Sequence, residues 1–216
     1  MSTLQATNLK HGSSASNNIV LDASGNTTIS GAATISGAAT ISGNAVITGT
    51  LQANGVTGSV YPLVQGTAQA STSGTSIDFT GLPSWVKRVT VMFNNVSTNG
   101  TSQKIIQLIH SSGTVVTSGY SSSAARFNGT ALAEDASTAG FLINSADAVD
   151  VHYGAYIFTN LTGNTWTGFG NVTYNLGLIT SGGSVSIAST LTGIRITTVG
   201  GTGTFDAGSI NILYEG

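Results

Sequence analysis

From Asn26 to Gly49 the chain reads NTTISG, AATISG, AATISG, NAVITG, four hexads in direct succession. Isoleucine recurs at Ile29, Ile35, Ile41 and Ile47, and glycine follows two places later at Gly31, Gly37, Gly43 and Gly49. A period of six is a multiple of two and not of 3.6, so the isoleucines share one face of an extended chain. Glycine after each short strand admits a corner, because it takes positive φ without steric cost. The pattern predicts a β-helical or prism-like winding, with Ile29, Ile35, Ile41 and Ile47 on its axis.

One chain gains little from winding this way alone. Burying one isoleucine is worth about 1.5–3 kcal/mol, whereas ordering six backbones costs about 6–12 kcal/mol. Four hexads make barely more than one coil of a three-sided helix, so each isoleucine would lack a coil above or below it. Three chains wound together supply the missing rungs and close an apolar core around a common axis. The expectation is therefore a homotrimer. A flexible Gly/Ser/Thr linker is the competing reading, but linkers rarely hold a β-branched residue in strict register.

Outward from the repeat, residues 1–25 carry Leu4, Leu9, Ile19, Val20 and Leu21 around the polar run Ser13 to Asn18, and read as an attachment segment. Residues 26–63 are read as shaft and transition, the latter ending at Tyr61-Pro62. Residues 64–216 form the head. Strand-like runs follow one another there, at Ser76–Thr80, Val86–Phe93, Lys104–His110, Thr114–Thr117 and Phe141–Ile143, then at Val151–Thr159, Trp166–Thr180, Val185–Ser189, Ile194–Val199 and Ser209–Leu213. Turn signals such as Asn99-Gly100 and Ser181-Gly182-Gly183 separate many of them. Only Thr130–Ala139 hints at helical periodicity. The fold class predicted is all-β: a short intertwined triple β-helix or prism shaft, then an antiparallel, jelly-roll-like β-sandwich head. Ile105, Ile106, Leu108 and Ile109 are apolar on both faces, as in a central or interface strand.

Composition narrows the function. Only 6% of the 216 residues are charged, with net charge −2, against roughly 25% charged in ordinary domains. The surface must be solvated by hydroxyls and amides. Nucleic-acid binding needs clustered cations, and only Lys87 and Arg88 are adjacent. There are no cysteines, no run of apolar residues long enough for a membrane span, and no basic-then-apolar start that would predict a secretory leader.

Three segments resemble the fibre proteins of tailed bacteriophages, especially those infecting cyanobacteria and other marine bacteria. TLQATNLKHGSSASNNIVLDASGNTTI resembles their N-terminal leader, the TISGAATISG repeats resemble their thin trimeric shafts, and TSIDFTGLPSWVKRVTVMFNNVSTNGTSQKIIQLI resembles the start of their globular heads. The resemblance implies a homotrimeric virion protein, joined by its N-terminus to tail, neck or capsid proteins. Its head would meet a host-surface glycan or protein. A capsid or neck decoration protein of purely structural role is the alternative. The chain departs from long tail fibres in its short shaft and lack of heptads.

Chemistry-bearing residues are sparse. The histidines are His11, His110 and His152, no G-x-S-x-G elbow occurs, and the adjacent pair Glu134-Asp135 reads as a solvated loop. No catalytic residue and no cofactor is expected. Asp147, Asp150 and His152 match no compact metal-ligand spacing, and Asp150 and His152 are read as sharing a strand face that meets solvent, so no metal site is assigned; copies of His11, His110 or His152 could converge on an ion at the trimer axis, and the sequence does not select among them. Gly200 to Asp206 reads as a glycine-rich hairpin. For sugar recognition the candidates are Tyr120, Trp166, Tyr153 and Tyr156, with Tyr120 and Trp166 favoured by their polar surroundings and Trp85 assigned to the core.

Overall fold

The computed structural model describes residues 61–216 except 112, 128, 130, 144–146 and 176. Before residue 61 it describes residues 8–10, 12, 13, 15, 16, 19–21, 23, 24, 26–29, 32, 33, 42, 51–53 and 56–58. Of the repeat isoleucines Ile29 is among these; Ile35, Ile41 and Ile47 lie outside the described residues. The chain divides into two compact units, Met1–Gly58 and Ser59–Gly216.

In the first unit β1 (Asn8–Leu9), β2 (Ile19–Leu21) and β3 (Thr27–Ile29) form an antiparallel three-stranded sheet, and β4 (Leu51–Ala53) pairs with β5 (Val56–Gly58). The first hexad thus pairs with the leader of its own chain. Leu9 lies opposite Ile19, and Ile19 opposite Ile29, so three apolar residues form one cross-strand row. Leu9 and Ile29 are each 47% exposed.

The second unit holds β6 (Val64–Gln65), β7 (Gln69–Ala70), β8 (Ser76–Thr80), β9 (Arg88–Thr98), β10 (Lys104–His110), β11 (Ser121–Phe127) and β12 (Leu132–Ser137). After them come β13 (Phe141–Ile143), β14 (His152–Thr162), β15 (Thr165–Tyr174), β16 (Gly177–Ser186), β17 (Leu191–Thr198) and β18 (Phe205–Glu215). The protein is all-β with antiparallel sheets, and no α-helix occurs among the described residues. One sheet runs β13-β10-β17-β8. The other runs β12-β11-β16-β15-β14-β9-β18-β6, with β7 also on β18. Between β6 and β7 the Gly66 amide still donates to the Ile212 carbonyl at 2.8 Å, so two short pieces cover one sheet edge.

Period-two alternation selects the core. Val89, Val91 and Phe93 of β9, Tyr156 and Phe158 of β14, and Ile194 and Ile196 of β17 are buried in one continuous cluster drawn from both sheets. Phe141 on β13 is its hub, with ring centroids 4.9 Å from Phe158, 5.8 Å from Tyr156 and 5.2 Å from Tyr120. Strand β15 makes room for these rings by omitting side chains. A Cβ at Gly168 would lie 2.8 Å from the Tyr156 ring, and one at Gly170 would lie 2.5 Å from it.

Several expectations are corrected. Thr130–Ala139 contains β12, not a helix: paired with β11, Leu132, Glu134 and Ala136 face one way while Ala133, Asp135 and Ser137 face the other. Trp166–Thr180 is two strands reversed at Asn175, whose φ is +39°. Thr114–Thr117 contributes only the isolated bridge of Val115 to Ile109. Gly200 to Asp206 links β17 in one sheet to β18 in the other, so it is a crossover and not a hairpin. The doubly apolar run of β10 does sit centrally, between β13 and β17.

Candidate functional site

On β10, β17 and β8 the residues alternating with the core series line up in two rows, Ile105–Thr197–Ser76 and Gln107–Arg195–Asp78. Ile105, Thr197, Ser76, Gln107 and Arg195 floor a cleft of about 410 Å³ on the outer side of the four-stranded sheet, walled by Thr75, Thr117, Ala139 and the turn Gly200–Gly201; Asp78 is not part of its lining. That volume lies within the range of small-molecule sites. The Arg195 guanidinium grips Asp78 with two parallel bonds, Nε to Oδ1 at 2.7 Å and Nη2 to Oδ2 at 2.6 Å. This hydrogen bonding with Asp78 raises the Arg195 pKa. Gln107 Nε2 donates to the Ala139 carbonyl at 2.8 Å, and Thr197 Oγ1 donates to the Thr75 carbonyl at 2.8 Å. The cleft therefore offers the Arg195 guanidinium, held from outside the lining by Asp78, with hydroxyls and the Gln107 amide around the apolar Ile105.

The aromatic candidates separate sharply. Tyr120, Tyr156 and Trp166 are buried and do not present their rings at the surface. Trp166 alternates inward along β15 with Gly168, Gly170, Val172 and Tyr174. Tyr120 is inward because its hydroxyl has work there: it accepts from the Leu108 amide at 2.8 Å and donates to the Val116 carbonyl at 3.0 Å. Tyr153 alone of the four is exposed. It stands where β9 and β14 slip register, and its hydroxyl donates to Asn95 Oδ1 at 2.7 Å. Asn95 takes φ +59° in that bulge, which re-aims the side chains around it. Trp85 is half-buried against the core and stacks on exposed Tyr61 at 5.0 Å.

The aspartate and histidine readings change as well. Asp150 and His152 are buried, not solvent-facing, and only Asp147 is exposed. Among the described residues no group of three acidic, histidine or cysteine side chains could hold a metal ion. What sequence reasoning missed is Lys104, which points inward with Ile106 and Leu108 and is fully buried. Burial lowers its ammonium to about 8 against the attraction of Asp150, Asp206 and Asp147. Burial, reinforced by the Lys104 charge, lowers His152 to about 4, while its Nδ1 lies 3.1 Å from the Val96 carbonyl. Lys104 Nζ, His152 Nε2 and Thr98 Oγ1 have no hydrogen-bond partner among the described residues. Strand parity held the clue, since Lys104 shares the face of two core residues. Glu134 and Asp135 lie on opposite faces of β12, and Asp135 Oδ2 accepts from Gln103 Nε2 at 2.7 Å.

No protein-family model matches the chain, and no curated protein matches it.

Proposed function

We propose that the chain is a homotrimeric fibre protein of a tailed-phage virion, attached by its N-terminal segment and adhering to host cells through its C-terminal head. The observation that carries the reading is the run of four isoleucine hexads in the first unit, followed along the chain by a separate all-β unit from Ser59. The row Leu9–Ile19–Ile29 supports it: Leu9 and Ile29 are half exposed, and further copies of the chain would supply a covering layer for this apolar row. The strand orders favour a jelly-roll sandwich for the head. In a jelly roll counted from its first strand, the sheets run 1-8-3-6 and 2-7-4-5. Here β8-β17-β10-β13 matches the first order, and β9, β11 and β12 take places 2, 4 and 5 of the second. The meander β14-β15-β16 stands in place of strand 7, and β18 is added beyond β9.

The cleft beside Arg195 is the adhesive site this reading selects, with an envelope glycan as ligand. The test uses the full-length protein on a glycan array and in competition with particles adsorbing to host cells. Adhesion predicts glycan binding and blocked adsorption. Arg195→Met should weaken both roughly ten- to hundredfold, the equivalent of losing a charge-assisted bidentate contact. Burial of three of the four aromatic candidates favours a second reading, a decoration protein that stabilises the particle. It predicts no binding in either assay and a more fragile particle without the protein.

A further inference from the structure

Polar side chains gather between the two sheets at the end of the second unit where β9 stops and β10, β14 and β18 start. Lys104 opens β10 and points inward with Ile106 and Leu108. His152 opens β14 beside Val96, and Thr98 closes β9 opposite Phe205. None of Thr98, Lys104 and His152 is more than 1% exposed. Register and charge locate the ammonium among them. Reaching from the four-stranded sheet, it lies within electrostatic range of Asp150 and His152 at the start of β14, and of Asp206 at the start of β18. Strand β9, which carries Thr98, runs between those two strands.

Each of the three carries a polar atom with no partner among the described residues: Lys104 Nζ, His152 Nε2 and Thr98 Oγ1. Buried polar atoms are rarely left so. The nearby carboxylates are engaged elsewhere, Asp150 Oδ1 accepting from Asn175 Nδ2 at 2.9 Å and Asp206 Oδ1 accepting from Ser97 Oγ. The tautomer of His152 defines what is missing. Its Nδ1 lies 3.1 Å from the Val96 carbonyl, which only accepts, so Nδ1 holds the ring proton. In the neutral ring Nε2 is then a bare acceptor. Lys104 Nζ is purely a donor, and the threonine hydroxyl does both. A donor and an acceptor that feel each other's field yet make no bond leave a gap for a bridging group.

We propose that an internal water molecule binds here, accepting from Lys104 Nζ, donating to His152 Nε2 and bonding Thr98 Oγ1, so that it ties the two sheets together. Three partners is the usual number for a buried water. A halide ion would satisfy the ammonium and the hydroxyl but has no proton for Nε2. A metal cation is opposed by the ammonium itself. Water alone of these matches all three groups. The site is independent of the fibre reading and holds whatever the second unit adheres to.

The test is a high-resolution crystal structure of the full chain, grown at pH 7 with sodium bromide as the salt. Expected is one density peak about 2.7–3.2 Å from each of the three atoms, without anomalous bromide signal. A bromide signal at that point would overturn water as the ligand. Lys104 Nζ bonded directly to His152 Nε2, with nothing between them, would overturn the site. Oxygen-17 relaxation dispersion of the full chain in solution gives a second reading. Thr98→Val keeps the side-chain shape and removes one partner, so the residence time of one internal water should shorten roughly tenfold. A dispersion profile identical to that of the unaltered chain would contradict a water held by Thr98.

Discussion

At the residue scale the head is governed by a few polar atoms enclosed in apolar surroundings. Tyr120 holds two backbone groups through one hydroxyl, accepting from the Leu108 amide and donating to the Val116 carbonyl. Tyr120→Phe keeps the ring against Phe141 but leaves the Leu108 amide unpaired. The variant should lose about 1–3 kcal/mol in urea unfolding. Lys104 behaves the opposite way. Its buried ammonium has no hydrogen-bond partner among the described residues, and an apolar replacement of similar length removes a desolvated charge. Lys104→Met should therefore match or exceed the parent in urea midpoint at pH 7. The pH dependence has a definite sign. Unfolded Lys104 keeps its proton up to the ordinary 10.5, whereas the folded chain sheds it near 8. Between those values the unfolded state binds more protons, so parental stability rises with pH, and the Met variant lacks that rise. His152, lowered to about 4, works on the acid side. Stability it contributes is complete above pH 6.5 and is lost as pH falls from there towards 4.

At the element scale β13 shows how much a short strand can carry. It has three residues, yet Phe141 touches rings from β14 and from the segment before β11. Phe141→Ala should cost about 3–5 kcal/mol, measured by chemical denaturation. The partner strand β15 tests the same packing from the other side. Gly170→Ala would place a methyl 2.5 Å from the Tyr156 ring and 2.8 Å from the Ala155 carbonyl. It should cost about 1–3 kcal/mol through overpacking, although it improves nothing else. Strands with dense β-branched and aromatic residues, such as β8, β10 and β13, were legible from the chain because alternation and composition agree there. Strands β11 and β12 were not, because SSSAARF and LAEDAS carry alanine and charge, and only the pairing of β11 with β16 and of β12 with β11 makes them sheet. The candidate site was legible only in part. Tyr120 and Trp166 sit in polar sequence surroundings, but burial follows strand parity and not the polarity of neighbours. The Arg195–Asp78 pair joins residues 117 positions apart, a contact no local pattern announces.

At the scale of the whole molecule, low charge and exposed apolar rows point the same way. A monomer with only 6% charged residues depends on hydroxyls and amides for its solvation. The hexads extend the argument, since Ile35 and Ile41 have no use in a single strand. Changing both to Asn should abolish trimer formation, read as a threefold fall in mass by sedimentation. The most direct measurement is the solution mass of the unaltered, folded chain by light scattering. Three copies of 21.6 kDa are predicted at every concentration above the assembly threshold. A mass of 21.6 kDa for a chain with a native circular dichroism spectrum would contradict the account.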